Sequence, residues 1–411
     1  MRIAWIAAGA GRLWCGACAR DLALVRALTA VGHEVTVIPV YLPLRTEGVD
    51  PSAGQPVISG GLGTWLREQM PLYDRLPHWI HRLLAERAVL RAVSAYAGAT
   101  QPTKLGRLTV SMLEGMHGRQ RAGVDELVEH LLTLRPERIH LSNSLLLGYA
   151  PTLRERLGVP VDCSLQGEEV FVHDLGSPWS AQAQQLMQLH AGAIARFWSP
   201  HPRHAAAMSA WLSVPRDRIS IVPPSVELTQ PSGVARPPSA IIGHLGVMIW
   251  KKGADVLAAA ARQLPSPCRL RFAGQEPDRR YARSLRRSCA GLSVEFLGEL
   301  SPAAKRRFFA DCRIVVIGSR HPEERGMVAL EALAMGVPVI APHAGIMPDL
   351  VASGALRTYR PSDAKDLARV LATALADPEL DAQVLAAPDW IAAHHGPTVA
   401  AAAASAALGR N

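Results

Sequence analysis

The stretch PEERGMVALEALAMGVPVIA, residues 322–341, decides the fold of the second half of the chain. The preceding RIVVIGS, residues 313–319, is typical of a buried strand that ends in a loop. MVALEALAMG, residues 327–336, is typical of a helix that ends at a glycine, and VPVIAP predicts the next strand. Strand, loop, helix and strand in this order form the repeating unit of a doubly wound α/β sheet.

Two glutamates flank the start of this helix, Glu323 in the loop and Glu331 about one and a half turns inside it. Backbone N–H groups near Gly326, Met327 and Val328 are free at a helix N-terminus and attract anions. Carboxylates suit paired hydroxyls, as on a sugar ring or a ribose. We therefore expect a phosphate at the helix start and hydroxyls at both carboxylates. The alternative is that each glutamate is a solvated residue or a partner of the helix dipole.

The same alternation extends outward from residue 240. Strands are predicted at AIIGHLGV, CRLRFAG and SVEFLG, and helices at GADVLAAAARQL, YARSLRRSC and PAAKRRFFADC. The first forty residues show the same order, with strand RIAWIAA, loop GAGRLWCGA, helix ARDLALVRALTAVG and strand HEVTVIPVY. The fold class is therefore α/β, with two doubly wound domains that face a central cleft.

The Pro-, Ser- and Gly-rich stretch at residues 223–238 predicts the domain boundary. We place an N-terminal domain at residues 1–225 and a C-terminal domain at residues 226–390. Residues 391–411 include an alanine-rich helix that is expected to pack back toward the N-terminal domain. A length of 411 residues suits two domains of this size.

Four further residues are candidates for the site. Lys251 and Lys252 lie at a strand-to-helix turn, where a lysine meets a diphosphate as a point charge; the alternative is a solvated pair. Gly16 lies in a glycine loop before a helix, where the backbone approaches a phosphate closely, although the spacing is not that of a dinucleotide site. Gln166 follows a buried strand, and its amide either binds sugar hydroxyls or caps the next turn.

The amino-acid composition favours a globular protein without a membrane-spanning segment. Hydrophobic residues make up 49% and charged residues 19%, which is globular, and no apolar run reaches the roughly 20 residues of a membrane span. We expect a cytoplasmic protein. The net charge of +9 favours an anionic ligand, but only 5% of residues are aromatic, and no nucleic-acid partner is predicted. Cys15 and Cys18 lack a second ligand pair at zinc spacing, so packing or loop-shaping thiols are favoured.

Residues 77–93, PHWIHRLLAERAVLRAV, are basic and amphipathic and include Trp79. Such a helix can lie on the inner face of an acidic membrane and bring the protein close to lipid. Packing against the protein's own core is the favoured reading, because amphipathic helices usually face their own core.

Several motifs resemble those of the retaining glycosyltransferases of family 4, which have the GT-B fold. The motifs are KKGADVLAAAARQL, RFAG, VEFLGEL, PEERGMVALEALAMGVPVIA and HAGIMPDLV, and the two glutamates followed by EALAMGVPVIA are the most specific. LWCGACARDLALVRAL, LPLR, LTVSML and LSNSLLLG make the first domain similar to a bacterial subgroup with a CGxC loop. The resemblance covers nearly the whole chain.

The resemblance implies roles for individual residues. Glu323 contacts the donor sugar hydroxyls, Glu331 the ribose and Lys252 the diphosphate, while Gly16 lies near the donor phosphate. Gln166 stands where many relatives have a donor-contacting histidine, which removes the option of a charged imidazolium.

A second departure concerns the leaving group. Val247 stands five residues before Lys252, at the place of an arginine, so one cation expected on the diphosphate is missing unless Lys251 replaces it. A contact of this kind is commonly worth about 3 to 4 kcal/mol, or several hundred-fold in rate.

The function implied is a retaining transfer from a nucleoside-diphosphate sugar, with a UDP-sugar as the expected donor, to an acceptor hydroxyl on a small molecule, glycan or lipid. No cofactor is expected, and because the chain contains no Asp-x-Asp motif the reaction is predicted to need no metal. Two alternatives stay open. One is a GT-B epimerase or phosphorylase, and the other is a degenerate protein that binds a nucleotide sugar or a partner without transfer.

Overall fold

The computed structural model describes residues 1–9, 16–44, 52, 54–58, 102–227 and 241–409. The chain forms two compact units, Met1–Pro223 with Ala400–Asn411, and Pro224–Val399. Each unit contains a parallel six-stranded sheet with helices, which confirms the predicted α/β fold with two doubly wound domains. The helix predicted at 77–93 and Cys15 lie outside the described residues.

The first sheet has the strand order β2-β1-β3-β4-β5-β6, and every neighbouring pair is parallel. Its strands are β1 (Arg2–Ala8), β2 (Glu34–Val40), β3 (Arg138–Leu141), β4 (Val161–Ser164), β5 (Arg196–Ser199) and β6 (Ile219–Ile221). The helices described in this unit are α1 (Gly16–Ala30), α2 (Gly106–Leu113), α3 (Arg121–Leu134), α4 (Ala150–Leu157), α5 (Glu168–Asp174), α6 (Trp179–Ala191) and α7 (Pro202–Leu212).

The second sheet has the order β12-β11-β10-β7-β8-β9 and is again parallel throughout. Its strands are β7 (Ile241–Leu245), β8 (Arg269–Ala273), β9 (Ser293–Gly298), β10 (Ile314–Val316), β11 (Val339–Pro342) and β12 (Leu356–Tyr359). Its helices are α8 (Ala254–Ala261), α9 (Arg279–Ser288), α10 (Pro302–Asp311), α11 (Met327–Ala334), α12 (Met347–Leu350), α13 (Ala364–Leu375) and α14 (Pro378–His395). The next helix in the chain is α15 (Pro397–Leu408), which belongs to the first unit from Ala400 onward.

The central strands of both sheets are buried on both faces, which explains why they are continuous apolar runs in the sequence. Residues 3–7 of β1 are all buried, as are the three residues of β10. Strands covered by helices on both faces are typically rich in Val, Ile and Leu, because neither face meets water.

The strand order reverses once in each sheet, between β1 and β3 in the first unit and between β7 and β10 in the second. Loops that leave neighbouring strands at such a reversal diverge toward opposite faces and open a crevice at the carboxyl ends of the strands. In the second unit, the loop after β7 carries Lys252 and the loop after β10 carries Glu323. The topology therefore brings two predicted site residues to one point.

The alanine-rich helix α15 completes the core of the first unit. Ala400, Ala404, Ala407 and Leu408 are buried with Trp5 and other residues of the first sheet. Residues 391–399, grouped with this helix in the sequence analysis, belong to the second unit. None of the described helices is long and apolar enough to cross a membrane.

A buried ion pair fixes the end of α15. Arg138 of β3 donates two hydrogen bonds to the carboxylate of Asp162 in β4, at 2.7 and 3.0 Å. Its remaining nitrogen donates to the carbonyl of Leu408, the last residue of the helix, at 2.7 Å. A cation at a helix C-terminus also meets the negative end of the helix dipole.

We expect Arg138→Met to lower the free energy of unfolding by about 3 to 5 kcal/mol, because it leaves the carboxylate of Asp162 buried without its partner. The measurement is urea unfolding, with hydrogen exchange of residues 397–408 as a local readout. The double variant Arg138→Met/Asp162→Leu removes both charges and should recover most of the loss. The matched control is Arg156→Met, which breaks the exposed pair with Asp125 (2.6 Å) and should cost under about 1 kcal/mol. Equal losses in the two single variants would contradict the role of Arg138.

Candidate functional site

Two glycines hold the loops after β7 and β10 against each other. Gly253 has φ of +62°, and a Cβ on it would lie 1.9 Å from the carbonyl oxygen of Gly318. A Cβ on Gly318 would lie 2.2 Å from the carbonyl oxygen of Gly253. Neither position accepts a larger residue without moving backbone, since real Cβ atoms do not approach this closely. The two loops therefore meet backbone to backbone.

This contact brings Lys252 and Glu323 together. The ammonium of Lys252 lies 2.6 Å from Oε1 of Glu323, and the hydroxyl of Ser319 donates to the same oxygen. The Glu323 side chain is 16% exposed and that of Lys252 is 38% exposed. Burial raises the pKa of Glu323, but the charge of Lys252 and the two hydrogen bonds outweigh burial and hold the pKa below its usual value. The carboxylate is therefore an ionised acceptor at neutral pH.

Helix α11 begins directly after this pair. Gly326 is the N-cap residue with φ of +56°, and no side chain caps the helix there. Met327 and Val328, the first helical residues, are half-buried. The positive end of the dipole and the first N–H groups of an uncapped helix favour an anion. The predicted residues Gly326, Met327 and Val328 thus form the uncapped start of α11, three to five residues after Glu323.

Close packing also fixes the loop before α11. A Cβ on Gly345, which has φ of +59°, would lie 2.5 to 2.7 Å from the backbone of Glu323. The N–H of Ile346 donates to the carbonyl of Glu323 at 3.1 Å. The position of the Glu323 carboxylate therefore depends on backbone contacts from a second loop.

Glu331 is paired with a residue that the sequence analysis did not identify. Lys305 of α10 donates to Oε1 of Glu331 at 2.9 Å, and the side chains are 29% and 23% exposed. A ligand hydroxyl at Glu331 would therefore share its carboxylate with an ammonium. No sequence motif identifies Lys305 as a partner of Glu331. The two residues are 26 positions apart, and they meet only because of the way α10 packs.

Arg320 forms a second network beside the Lys252 loop. It donates to both oxygens of Asp255, at 2.9 and 2.6 Å, and the hydroxyl of Tyr281 donates to the same carboxylate at 2.6 Å. Arg320 also donates to the carbonyl of Trp250 at 2.6 Å and lies over the Trp250 ring at 4.7 Å. This arginine is thus used to hold the loop, and sequence reasoning missed it because it lies in no motif.

Val247 and Lys251 lie on the loop between β7 and Lys252. Val247 is half-buried, and its carbonyl accepts from the N–H of Ile249 at 2.9 Å. The carbonyl of Lys251 accepts from the N–H of Arg320 at 2.9 Å, and burial lowers the pKa of the Lys251 ammonium. That Lys251 takes the role of the arginine absent at position 247 stays a prediction.

His244, in β7, is a second buried titratable group near the Lys252–Glu323 pair. Its Nδ1 donates to the carbonyl of Val316 at 3.0 Å, and among the described residues Nε2 has no hydrogen-bond partner. Burial lowers its pKa to about 4, and the charge of Lys252 acts in the same direction. The imidazole is therefore neutral at physiological pH.

Gln166 lies in a buried polar cluster of the first unit. Its Nε2 donates to Asp21 at 3.1 Å and to the carbonyl of Ser142. Arg20 contacts Asp21 at 3.2 Å and donates to Ser164 at 2.8 Å. The turn after β4 is capped by Glu168, whose carboxylate accepts from the backbone N–H of Gln166 at 2.8 Å.

The amide nitrogen of Gln166 is thus used within the protein, and its contact with a sugar stays a prediction. Gly16 is the first residue of α1, and its predicted contact with a phosphate is likewise untested. Within the part of the chain that the structure describes, no three His, Cys, Asp or Glu side chains are grouped so as to hold a metal ion.

Residues 227–386 match the family model described as glycosyl transferases group 1. The second unit carries a glycosyltransferase domain. This group 1 domain contains the Lys252–Glu323 pair, the start of α11 and the Lys305–Glu331 pair. The matched residues make up the part of the chain in which the most specific motifs were found.

The chain is also similar to known proteins. A sulfoquinovosyl transferase of Arabidopsis thaliana is 30% identical over 149 residues, which are 35% of this chain and 28% of that protein. The chain thus matches little more than a quarter of the length of this relative. Sucrose-phosphate synthase of Thermosynechococcus elongatus has a TM-score of 0.74 at 18% identity over 99% of this chain and 98% of that chain. HepE of Anabaena, crystallised with UDP and glucose, has a TM-score of 0.70 at 16% identity over 99% of both chains. These likenesses show the GT-B fold.

We expect the stability of the protein to fall as pH falls from about 6.5 to about 4, in part because of His244. Its pKa is lower in the folded than in the unfolded state, so the unfolded state binds the proton first. The contribution is roughly 3 kcal/mol. His244→Asn keeps a donor for the carbonyl of Val316 and should flatten the pH profile by this amount in urea unfolding. His343→Asn, at an exposed histidine, is the matched control. An unchanged profile in His244→Asn would contradict the assignment.

Proposed function

We propose that the protein is a retaining glycosyltransferase that moves a sugar from a UDP-sugar to an acceptor hydroxyl, without a metal ion or a bound cofactor. The observation that carries the proposal is the Lys252–Glu323 pair, 2.6 Å apart, beside the uncapped start of α11 in a group 1 domain. The choice of donor is supported by HepE of Anabaena, which has been crystallised with UDP and glucose and with UDP-glucose.

The diphosphate is the group that gains charge when the sugar leaves. In our proposal the ammonium of Lys252 and the first N–H groups of α11, from Met327 and Val328, stabilise that charge. These donors are fixed before the reaction, because the loop of Lys252 is held by Gly253 and Arg320. Donors fixed in this way need little reorganisation in the transition state.

The two glutamates hold hydroxyls in our proposal. Glu323, kept ionised by Lys252, accepts hydrogen bonds from the transferred sugar, and Glu331 accepts them from the ribose. Lys305 donates to the carboxylate of Glu331 at 2.9 Å, so the ribose shares this carboxylate with the ammonium. Each carboxylate is thus paired with a lysine from another segment of the second unit.

The proposed reaction takes place on one face of the sugar. The bond between the anomeric carbon and the phosphate oxygen breaks, and a bond from that carbon to the acceptor oxygen forms on the same face. The proton of the acceptor hydroxyl passes to the departing phosphate, so no separate base is needed. UDP carries away the electron pair of the broken bond.

The test is calorimetry with UDP, GDP and ADP on the wild type and on Glu331→Ala. We expect UDP to bind tightest and Glu331→Ala to weaken it about 10-fold or more, because hydrogen bonds to a charged group are lost. The matched control is Lys305→Ala, which breaks the same ion pair from the other side and should change the affinity for UDP less than about 3-fold. Equal UDP affinity in Glu331→Ala and the wild type would remove the ribose contact, and binding of no nucleotide would overturn the proposal.

A second candidate function is binding of a nucleotide sugar without transfer. Val247 favours it, since it stands where an arginine is expected on the diphosphate. Among the contacts of the described residues, the nearby Arg320 is held by Asp255 and is not placed as a substitute.

Val247→Arg distinguishes the two functions. If the protein is a transferase that lacks this cation, the variant should hydrolyse UDP-glucose faster, with water taking the place of the acceptor and UDP and glucose as products, by up to several hundred-fold in kcat/KM. Val247→Met is the control for side-chain size. Hydrolysis that stays at background in both the wild type and Val247→Arg, with UDP still bound, would favour binding without transfer.

A further inference from the structure

Helix α9 (Arg279–Ser288) carries an unusual concentration of arginine. Its sequence, RRYARSLRRS, contains five arginines and no acidic residue. At 100° per residue all five fall within an arc of about 120°. The opposite side is apolar and buried, with Tyr281, Ala282 and Leu285 in the core of the second unit. The helix is thus divided into one side that packs and one side that is basic.

Four of these arginines form what we call the arginine face: Arg279, Arg280, Arg283 and Arg287. All four are exposed. Within the described part of the chain, none of them contacts a carboxylate. The side chains of Arg283 and Arg287 donate hydrogen bonds to backbone carbonyls of the same helix. The fifth, Arg286, differs, because it pairs with Glu276 at 2.7 Å and lies over the Phe296 ring.

The side chains next to the helix do not cancel the positive charge of the arginine face. Asp278 is the N-cap residue, and its carboxylate accepts from the backbone N–H groups of Arg280 and Tyr281 at 3.0 Å. Arg262 adds another guanidinium at the far end of the helix, where it donates to the carbonyls of Ser288 and Ala290. The positive surface therefore runs along the whole helix, about 12 Å from Arg279 to Arg287.

This arrangement weakens the helix itself. Like charges four residues apart, as at 279/283 and 283/287, cost about 0.2 to 0.5 kcal/mol each. Arg279 and Arg280 also lie in the first turn, where the helix dipole disfavours cations. Residues that lower the stability of a helix without forming compensating contacts inside the protein are typical of functional positions.

We infer that the arginine face docks on an anionic lipid bilayer. Four to eight basic residues on an amphipathic helix are typical of binding to acidic phospholipids. The face has no aromatic side chain on which nucleic-acid bases could stack, which disfavours single-stranded nucleic acid. The four side chains are exposed and spread along the helix, which suits an extended anionic surface better than a single phosphate. A flat, charged membrane surface is the partner that fits, and docking is independent of the proposed reaction.

The test is co-sedimentation of the whole protein with vesicles of phosphatidylcholine and phosphatidylglycerol, and with vesicles of phosphatidylcholine alone. We expect binding only to the anionic vesicles, with a steep fall as salt rises, because exposed charges are screened. Arg283→Gln/Arg287→Gln should lower the partition coefficient about 30-fold, at about 1 kcal/mol per charge. Arg283→Lys/Arg287→Lys keeps the charge and should bind nearly as well as the wild type.

The matched control is Arg306→Gln/Arg307→Gln, which removes two exposed charges from α10 and should leave binding nearly unchanged. Circular dichroism of each variant checks that α9 is still folded. The inference would be overturned if the control lost as much binding as Arg283→Gln/Arg287→Gln, or if both kept wild-type binding. It would also be overturned if the lysine variant lost binding, or if duplex DNA bound and anionic vesicles did not.

Discussion

The candidate site depends on the contact between Gly253 and Gly318, whose backbones lie too close for any side chain at either position. Because these glycines follow neighbouring strands at the reversal of the second sheet, their contact sets the distance between the lysine of one loop and the glutamate of the other. The ion pair in turn keeps Glu323 ionised although it is largely buried. One steric constraint thus determines both the geometry and the charge of the site.

The strands and helices of the second unit were predictable because parallel strands covered on both faces appear as apolar runs separated by glycine and helix patterns. The positions of Glu323, Lys252 and the start of α11 were predictable for a related reason, since each lies in, or at the end of, a loop that leaves the carboxyl end of a strand. That Lys252 and Glu323 touch was not predictable from periodicity alone, because it requires β7 and β10 to be neighbours in the sheet.

Residues outside the motifs could not be identified from the sequence. Lys305 reaches Glu331 only because of the way α10 packs, and Arg320 and Tyr281 meet at Asp255 from distant segments. Gln166 was identified from its place after a strand, and its contact with a ligand stays a prediction. Its amide nitrogen donates to Asp21 and to the carbonyl of Ser142. A single sequence does not give these partners, because they come from distant segments.

Helix α15 has a consequence for how the chain is made. The first sheet begins at residue 2, yet the apolar side that contains Trp5 and Trp198 is covered by residues 400–408. During synthesis, the part of that surface covered by α15 stays open to water until residues 400–408 have left the ribosome, and exposed apolar surface of this kind promotes aggregation. The core of the first unit is therefore completed only after the whole second unit has been synthesised, which makes the folding of the nascent chain dependent on reaching residues 400–408.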